Sequence, residues 1–319
     1  KAGKSVIITP SSENSLFSNV LEKWLGAVRL RVKDSTHIKY SYLINAHIIP
    51  CLGDKNVSSI SFCELNAFIF EKLNNGRLNG EGGLSASYVK TLALILNSAL
   101  TFAAKEGYCK QPGNALIPPR IEKNEPTVLT EEEYRKLIAF SVSHPNGTSL
   151  GMLLALLAGL RVGEVCALKW RDVNFESKSI SVNATVTRIC RSNARSTLAV
   201  GPPKTAASKR KIPICSTLFC ALETMRLQSK SEYVISEKDG FVNPRTFEYR
   251  FHKALESAGV KNTNFHSLRH SFATVCAEKG MDVKSLSEIL GHGTAGITLG
   301  TYVHPSMTHK HAQIELLCN

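Results

Sequence analysis

The feature that most constrains this chain is a break in its periodicity. Residues 110–126 read KQPGNALIPPRIEKNEP, with four prolines and few regularly spaced apolar residues. Proline has no backbone N–H and a fixed φ, so such a run neither continues a helix nor enters a sheet. It is expected to link two domains. Apolar spacing resumes on both sides, and 319 residues exceed what one ordinary core organises. The division expected is a flexible tail over 1–15, a helical domain over 16–109, the linker over 110–126, a larger domain over 127–304 and a C-terminal tail over 305–319. The sequence starts on Lys1 without Met, which leaves open a processed or truncated start.

Before the break, the spacing predicts four helices. Leu16, Val20, Trp24 and Val28 recur every four residues. Asp34-Ser35-Thr36 would start a second helix running through Tyr42 to His47, ended by Pro50 and Gly53. Ser61 would cap a third that stops at Asn74-Asn75-Gly76, and Ser85 a fourth that ends at Gly107. After the break, Thr130-Glu131-Glu132-Glu133 has the form of a capping box. SLGMLLALLAGL reads as a buried helix interrupted at Gly159, with another helical turn following. KSISVNATVTRI alternates like a strand, and STLAVGPPKT with RKIPI suggests more of them. The fold class is mainly α with a small β-sheet.

Composition narrows the partners. Lys and Arg number 39 against 26 Asp and Glu, a net charge of +13, and both halves of the chain are basic. A polyanion is the natural partner. No acidic residue falls between Glu176 and Glu223, where Lys178, Arg188, Arg191, Arg195, Lys204, Lys209, Arg210 and Lys211 all lie. A solvated hairpin usually mixes signs, so a phosphate backbone over this segment is the better explanation. Arg188, Arg191, Arg195, Lys209, Arg210 and Lys211 are taken as DNA-binding candidates. The longest apolar run, near Leu150 to Leu160, is too short to span a bilayer, and no membrane association is expected. Nine cysteines without a CxxC pair argue against a disulfide framework and a structural zinc site, and point to a cytoplasmic protein.

Four segments carry the chemistry: AGLRVGEVCALKW with Arg161 and Glu164, PPKTAASKRKIPI with Lys204, FHSLRHSFA with His266 and Arg269, and LGHGTAGITLGTYVHP with His292 and Tyr302. In this order and spacing they resemble the tyrosine recombinase, or phage integrase, family. The TYVHPSM ending is most like integrases of conjugative transposons and related mobile elements. The resemblance runs through nearly all of residues 127–310, and the helical domain before it looks like that family's core-DNA-binding domain. It implies an N-terminal helical bundle and an α/β catalytic domain that clamp duplex DNA.

The side chains fit the chemistry that the resemblance implies. A phenol suits reversible transfer, because its phosphate ester keeps the phosphodiester energy for a later attack by a DNA hydroxyl. The resemblance makes Tyr302 the nucleophile. Two guanidinium groups, assigned to Arg161 and Arg269, would hold the non-bridging oxygens by fork-shaped contacts. Lys204 would give the leaving 5′ oxygen its proton, His266 would assist proton transfer or contact the phosphate, and His292 would contact a phosphate oxygen and help position the site. Glu164 would support the arrangement through hydrogen bonds. Carboxylates are otherwise absent from the constellation, which argues against two-metal chemistry, so no metal and no cofactor are expected. His266 and His270 are four apart, but no glutamate follows His266 as an HExxH zinc site would need.

The implied activity is integration and excision of a mobile element through a 3′-phosphotyrosyl intermediate and a Holliday junction. Its partners would be double-stranded DNA, at element ends and target site, and three further copies of the chain in a homo-tetramer on two DNA sites. An accessory excision factor stays open. Two rival readings are a type IB topoisomerase and a DNA-binding regulator that has lost catalysis. Gly300, two residues before Tyr302, together with Gly291, Gly293 and Gly296, predicts a flexible approach to the nucleophile. Met307, Ile314, Leu316 and Leu317 make the tail after Tyr302 apolar enough to fold back on its own domain or to dock on a neighbouring protomer, and the resemblance implies the neighbour.

Overall fold

The computed structural model of the chain describes residues 15–110, 116–121, 127–189, 197–203, 205–237, 240–294, 296, 298 and 315. Two compact units divide at Asn124 and Glu125.

The N-terminal unit is helical. Helix α1 (Phe17–Arg29) buries Phe17, Val20, Leu21 and Trp24, the single stripe that its spacing dictates. Helix α2 (Asp34–Leu43) does not stop ahead of Pro50. It widens into a π turn over Ile44–Ile48 and resumes as α3 (Ile49–Leu52). Pro50 thereby occupies the first turn of a new helical segment, where a missing N–H leaves no bond unmade. Helix α4 (Phe62–Asn75) opens on a reciprocal capping box between Ser61 and Glu64. Helix α5 (Ala86–Lys105), capped by Ser85, turns Val89, Leu92, Ala93, Leu96 and Ala99 into the core. It is long and apolar enough to cross a membrane, but this apolar face is the one packed against α1 and α4. The expected linker is partly tied down. Leu116 is buried in this core, and the Asn97 side chain accepts from its N–H at 2.9 Å and donates to its carbonyl at 3.1 Å.

The C-terminal unit packs helices around the apolar helix α7 (Gly147–Ala158), in which nine of twelve residues are buried. Helix α6 (Glu131–Ser143) starts at a second capping box, Thr130 with Glu133. Leu129, just before it, donates its N–H to the Ser271 hydroxyl at 2.8 Å. Helix α8 (Val162–Ala167) follows α7 after a break at Gly159. Strands β1 (Val173–Asn174), β2 (Ser179–Val182) and β5 (Arg210–Pro213) form one antiparallel sheet in the order β1-β2-β5. Strands β3 (Thr185–Ile189) and β4 (Thr197–Gly201) form a separate hairpin in which Val186 pairs with Val200. The run KSISVNATVTRI is therefore two strands in two sheets rather than one, parted at Asn183-Ala184. Beyond them lie α9 (Ser216–Gln228), the short pair β6 (Ser236–Glu237) and β7 (Gly240–Phe241), α10 (Pro244–Ser257), α11 (Phe265–Glu278) and α12 (Val283–Leu290).

Candidate active site

The site is built where α7, α8, β5, α11 and α12 end or begin close together. Helix α7 terminates in a left-handed Gly159, at φ 65°. A side chain there would be strained by that φ and would press on Phe272 of α11. Two residues later, Arg161 takes the extended conformation that opens α8. Its backbone N–H donates to Glu164 Oε2 at 3.0 Å and its Nη1 donates to Glu164 Oε1 at 2.9 Å. The RVGE string is thus a helix start in which the cap and the third helical residue are joined twice. The Arg161 side chain remains 36 % exposed, whereas Glu164 is buried.

Arg269 lies on the inner face of α11 and is only 1 % exposed, the largest fully buried side chain among the described residues. Its Nη1 donates to the Gly159 carbonyl and its Nη2 to the Leu290 carbonyl. One guanidinium therefore joins the C-terminal ends of α7 and α12, where orphan carbonyls need donors. Its Nη2 also approaches His292 Nε2 at 3.2 Å. Because that arginine nitrogen only donates, Nε2 accepts, and the ring proton sits on Nδ1, which donates to Thr298 Oγ1 at 2.8 Å. With both ring nitrogens engaged, His292 buttresses Arg269 in this state rather than presenting a donor to a phosphate.

Electrostatics follow from that crowding. His292 is held down to about 4, first by burial and then by the charges of Arg269, Arg161, Arg210 and His266. His266 is also held at about 4, by desolvation, then by His270, Arg269 and Arg161. Its ring stands 4.4 Å from that of His270. Both imidazoles are neutral at pH 7, and each feels both catalytic candidates among the arginines. Burial alone would raise the Glu164 carboxyl, but the hydrogen bonds and charge of Arg210, followed by those of Arg161, outweigh it and keep it ionised.

Arg161, Glu164, His266, Arg269 and His292 are thus gathered from three separate segments. Lys204 and Tyr302 lie outside the described residues, as do Arg191, Arg195, Gly300, Met307, Ile314, Leu316 and Leu317. Arg188, Lys209 and Lys211 are exposed. Arg210 does not face DNA as the charge run predicts: its side chain is 5 % exposed and forms a two-pronged pair with Glu164. Strand parity explains the difference, since residues 210 and 212 point inward on β5 while 209 and 211 point out. Nor does Gly291 give the flexibility that the sequence predicts, because it caps α12 at φ 66° and a Cβ there would come within 2.9 Å of Arg210 Cδ. Among the described residues, no group of three or more His, Cys, Asp or Glu could hold a metal ion.

Residues 127–309 match the model of the phage integrase family. The chain belongs to the phage integrase family. Residues 16–73 match that family's N-terminal SAM-like domain. The tyrosine recombinase XerC-like protein of Caldanaerobacter subterraneus subsp. tengcongensis is 29 % identical over 94 % of this chain and 82 % of its own length. The integrase of the Tn1549 transposon, solved in complex with transposon right end DNA, shares the fold with a TM-score of 0.76 at 19 % identity, over 95 % of this chain and 100 % of that one. A lambda integrase tetramer bound to a Holliday junction matches with a TM-score of 0.65 at 23 % identity, over 90 % of this chain and 78 % of that one. This integrase is accordingly a tyrosine recombinase, an enzyme of site-specific recombination that cleaves and rejoins DNA strands.

Proposed function

We propose that this integrase moves a mobile genetic element, integrating and excising it by two rounds of strand exchange through a Holliday junction. The observation that carries the chemical part is geometric: Arg161, through Glu164 and Arg210, and Arg269 both meet at the end of α12 that leads into His292. In the reaction we infer, the Tyr302 hydroxyl passes its proton to the His266 imidazole as its oxygen attacks the scissile phosphorus. The bond to the 5′ oxygen breaks, Lys204 supplies that oxygen's proton, and a 3′-phosphotyrosyl ester and a free 5′ hydroxyl remain. Arg161 would donate to the non-bridging oxygens and Arg269, which is buried and bonded to the Gly159 and Leu290 carbonyls in the DNA-free chain, would add its charge behind them; a lost donor of this kind costs about 3–4 kcal/mol. A 5′ hydroxyl from the partner strand then attacks the ester and releases Tyr302. Every charge in this scheme comes from side chains, so no metal enters it.

The element-moving role is supported by likeness of fold to a transposon integrase along almost the whole chain. Four copies on two DNA sites would complete the machine. The apolar tail around Ile314 and Leu316 would dock on the neighbouring copy. The test is a recombination assay on paired plasmid sites built from the ends of the element that encodes the chain. The expected result is excised circle and rejoined junction, with four-way junctions accumulating when exchange is stalled. Relaxation of supercoils on any plasmid, with no exchange between paired ends, would replace this reading with a topoisomerase.

A further inference from the structure

Arg210 has no place in the reaction scheme above, yet four hydrogen bonds tie it to the frame of the site. Its Nη1 and Nη2 donate to Glu164 Oε1 and Oε2 at 3.0 and 2.9 Å. Nη1 also donates to the Ser208 carbonyl at 3.1 Å, and Nε donates to the Ile289 carbonyl. Both partners of the pair are nearly sealed from solvent, at 5 % and 3 % exposure. The residue stands at the first position of β5, where Val182 is its strand partner. It therefore ties the strand that leaves the Lys204 segment to the start of α8 and to the end of α12, one residue short of the carbonyl that Arg269 holds.

Glu164 accepts four donors in all, two from Arg210 and two from Arg161. An ionised carboxylate has about four acceptor positions, so this one is saturated. Arg161 gives it only one side-chain nitrogen, Nη1. We infer that Arg210 is a positioning residue that occupies Glu164 so that Arg161 keeps the rest of its guanidinium for the scissile phosphate. The physical reason is competition. A buried carboxylate that loses a two-pronged partner must find charge elsewhere, and Arg161, already joined to it twice and one helical turn away, is the nearest source. Arg161 would then turn inward into a closed fork, and the phosphate would lose a donor. The close approach of Arg210 to Gly291 adds a second constraint, because the same side chain braces the turn that carries His292.

This inference rests on the proposed phosphate role of Arg161, and the test separates the two. Single-turnover cleavage and DNA affinity are measured for wild type, Arg161→Ala, Arg210→Met and the double variant Arg210→Met/Glu164→Gln. Each is assayed on a normal duplex and on one with a neutral methylphosphonate at the scissile position. The expected result is a loss of about 10- to 100-fold in cleavage for Arg210→Met with binding kept, a fraction of what losing a donor outright does. The double variant, with no buried charge to draw Arg161 inward, should recover most of that loss. The Arg210→Met defect should also shrink on the methylphosphonate, which needs less positive charge. A merely structural defect would stay the same on both substrates. If Arg210→Met fails to fold, Arg210→Lys and the double variant give the same comparison. Wild-type cleavage by Arg210→Met, or a double variant as slow as the single, overturns the inference. Wild-type cleavage by Arg161→Ala instead removes the Arg161 reading on which it stands.

Discussion

The two units bury different things. The N-terminal core is made almost wholly of aliphatic and aromatic side chains, and its buried polar residues are few, chiefly His47 and Lys72. The C-terminal unit has an equally apolar centre around α7, but at its edge it also buries Arg269, Glu164 and the head of Arg210. Burying a charge disfavours folding unless hydrogen bonds answer it. In the first unit the buried charge, Lys72, pairs with its exposed neighbour Glu71. In the second, three charged side chains from distant segments are buried at one edge, where the proposed chemistry lies.

The sharpest way to break this contrast is to remove the buried and the exposed arginine separately. Arg269→Ala should cut single-turnover cleavage by about 100-fold or more, and it should also destabilise the C-terminal unit. It leaves the Gly159 and Leu290 carbonyls without their donor. Arg161→Ala should slow cleavage comparably with a smaller change in thermal midpoint, since that side chain is more than a third exposed. Equal thermal losses in the two variants would show that burial is not what distinguishes them. Lys replacements should restore little, because a point charge does not reproduce the fork.

Next in size is Lys204→Ala. It should be slow on ordinary DNA and much less impaired on a duplex with a 5′-bridging sulfur, since a thiolate leaves without a proton. The same defect on both substrates would take Lys204 out of the proton-donor role.

A packing change in the other unit should behave differently. Leu96 is fully buried on α5, and Leu96→Ala should cost about 2–5 kcal/mol of that unit's stability. Denaturant unfolding should show this loss, while the cleavage rate on saturating DNA at low temperature stays close to wild type. A catalytic defect as large as that of Arg161→Ala would show that the helical unit does more than bind.

The smallest effect is on pH dependence. The His292 imidazole is held at about 4 in the folded chain, against an ordinary 6.5. Between those values the unfolded chain binds a proton that the folded one refuses. This contribution to stability is therefore complete above pH 6.5 and is lost as pH falls toward 4. Thermal midpoints should drop over that window in the DNA-free protein, and His292→Asn should flatten the slope. An unchanged slope would mean that the ring is not held neutral by its neighbours.

Much of the fold was legible because its signals are local. Ser61 with Glu64 and Thr130 with Glu133 each announce a helix start within four residues, and both are capping boxes in the structure. The residues that the fold gathers were legible as strings, since Arg161 and Glu164 stand in RVGE and His266 and Arg269 in HSLRH. The failures have two causes, an irregular local backbone at Pro50 and a partner distant in sequence at Arg210. Pro50 reads as a stop until the π turn before it is seen. Arg210 reads as a phosphate contact because counting charge says nothing about which face of a strand it is on. Its partner, Glu164, lies 46 residues earlier. Alternation along Lys209, Arg210, Lys211 and Ile212 was the available clue, because the apolar Ile212 marks the inner face.

The central claim is that this chain cuts DNA with Tyr302. The direct measurement traps the covalent product on a nicked suicide duplex that carries a candidate recombination site, then maps the attachment by peptide mass spectrometry. The account predicts a single adduct on Tyr302, joined to a 3′ phosphate, formed in excess EDTA and absent from Tyr302→Phe while that variant still binds the duplex. An adduct on another residue, attachment through a 5′ phosphate, or strict dependence of the cut on Mg²⁺ would contradict it.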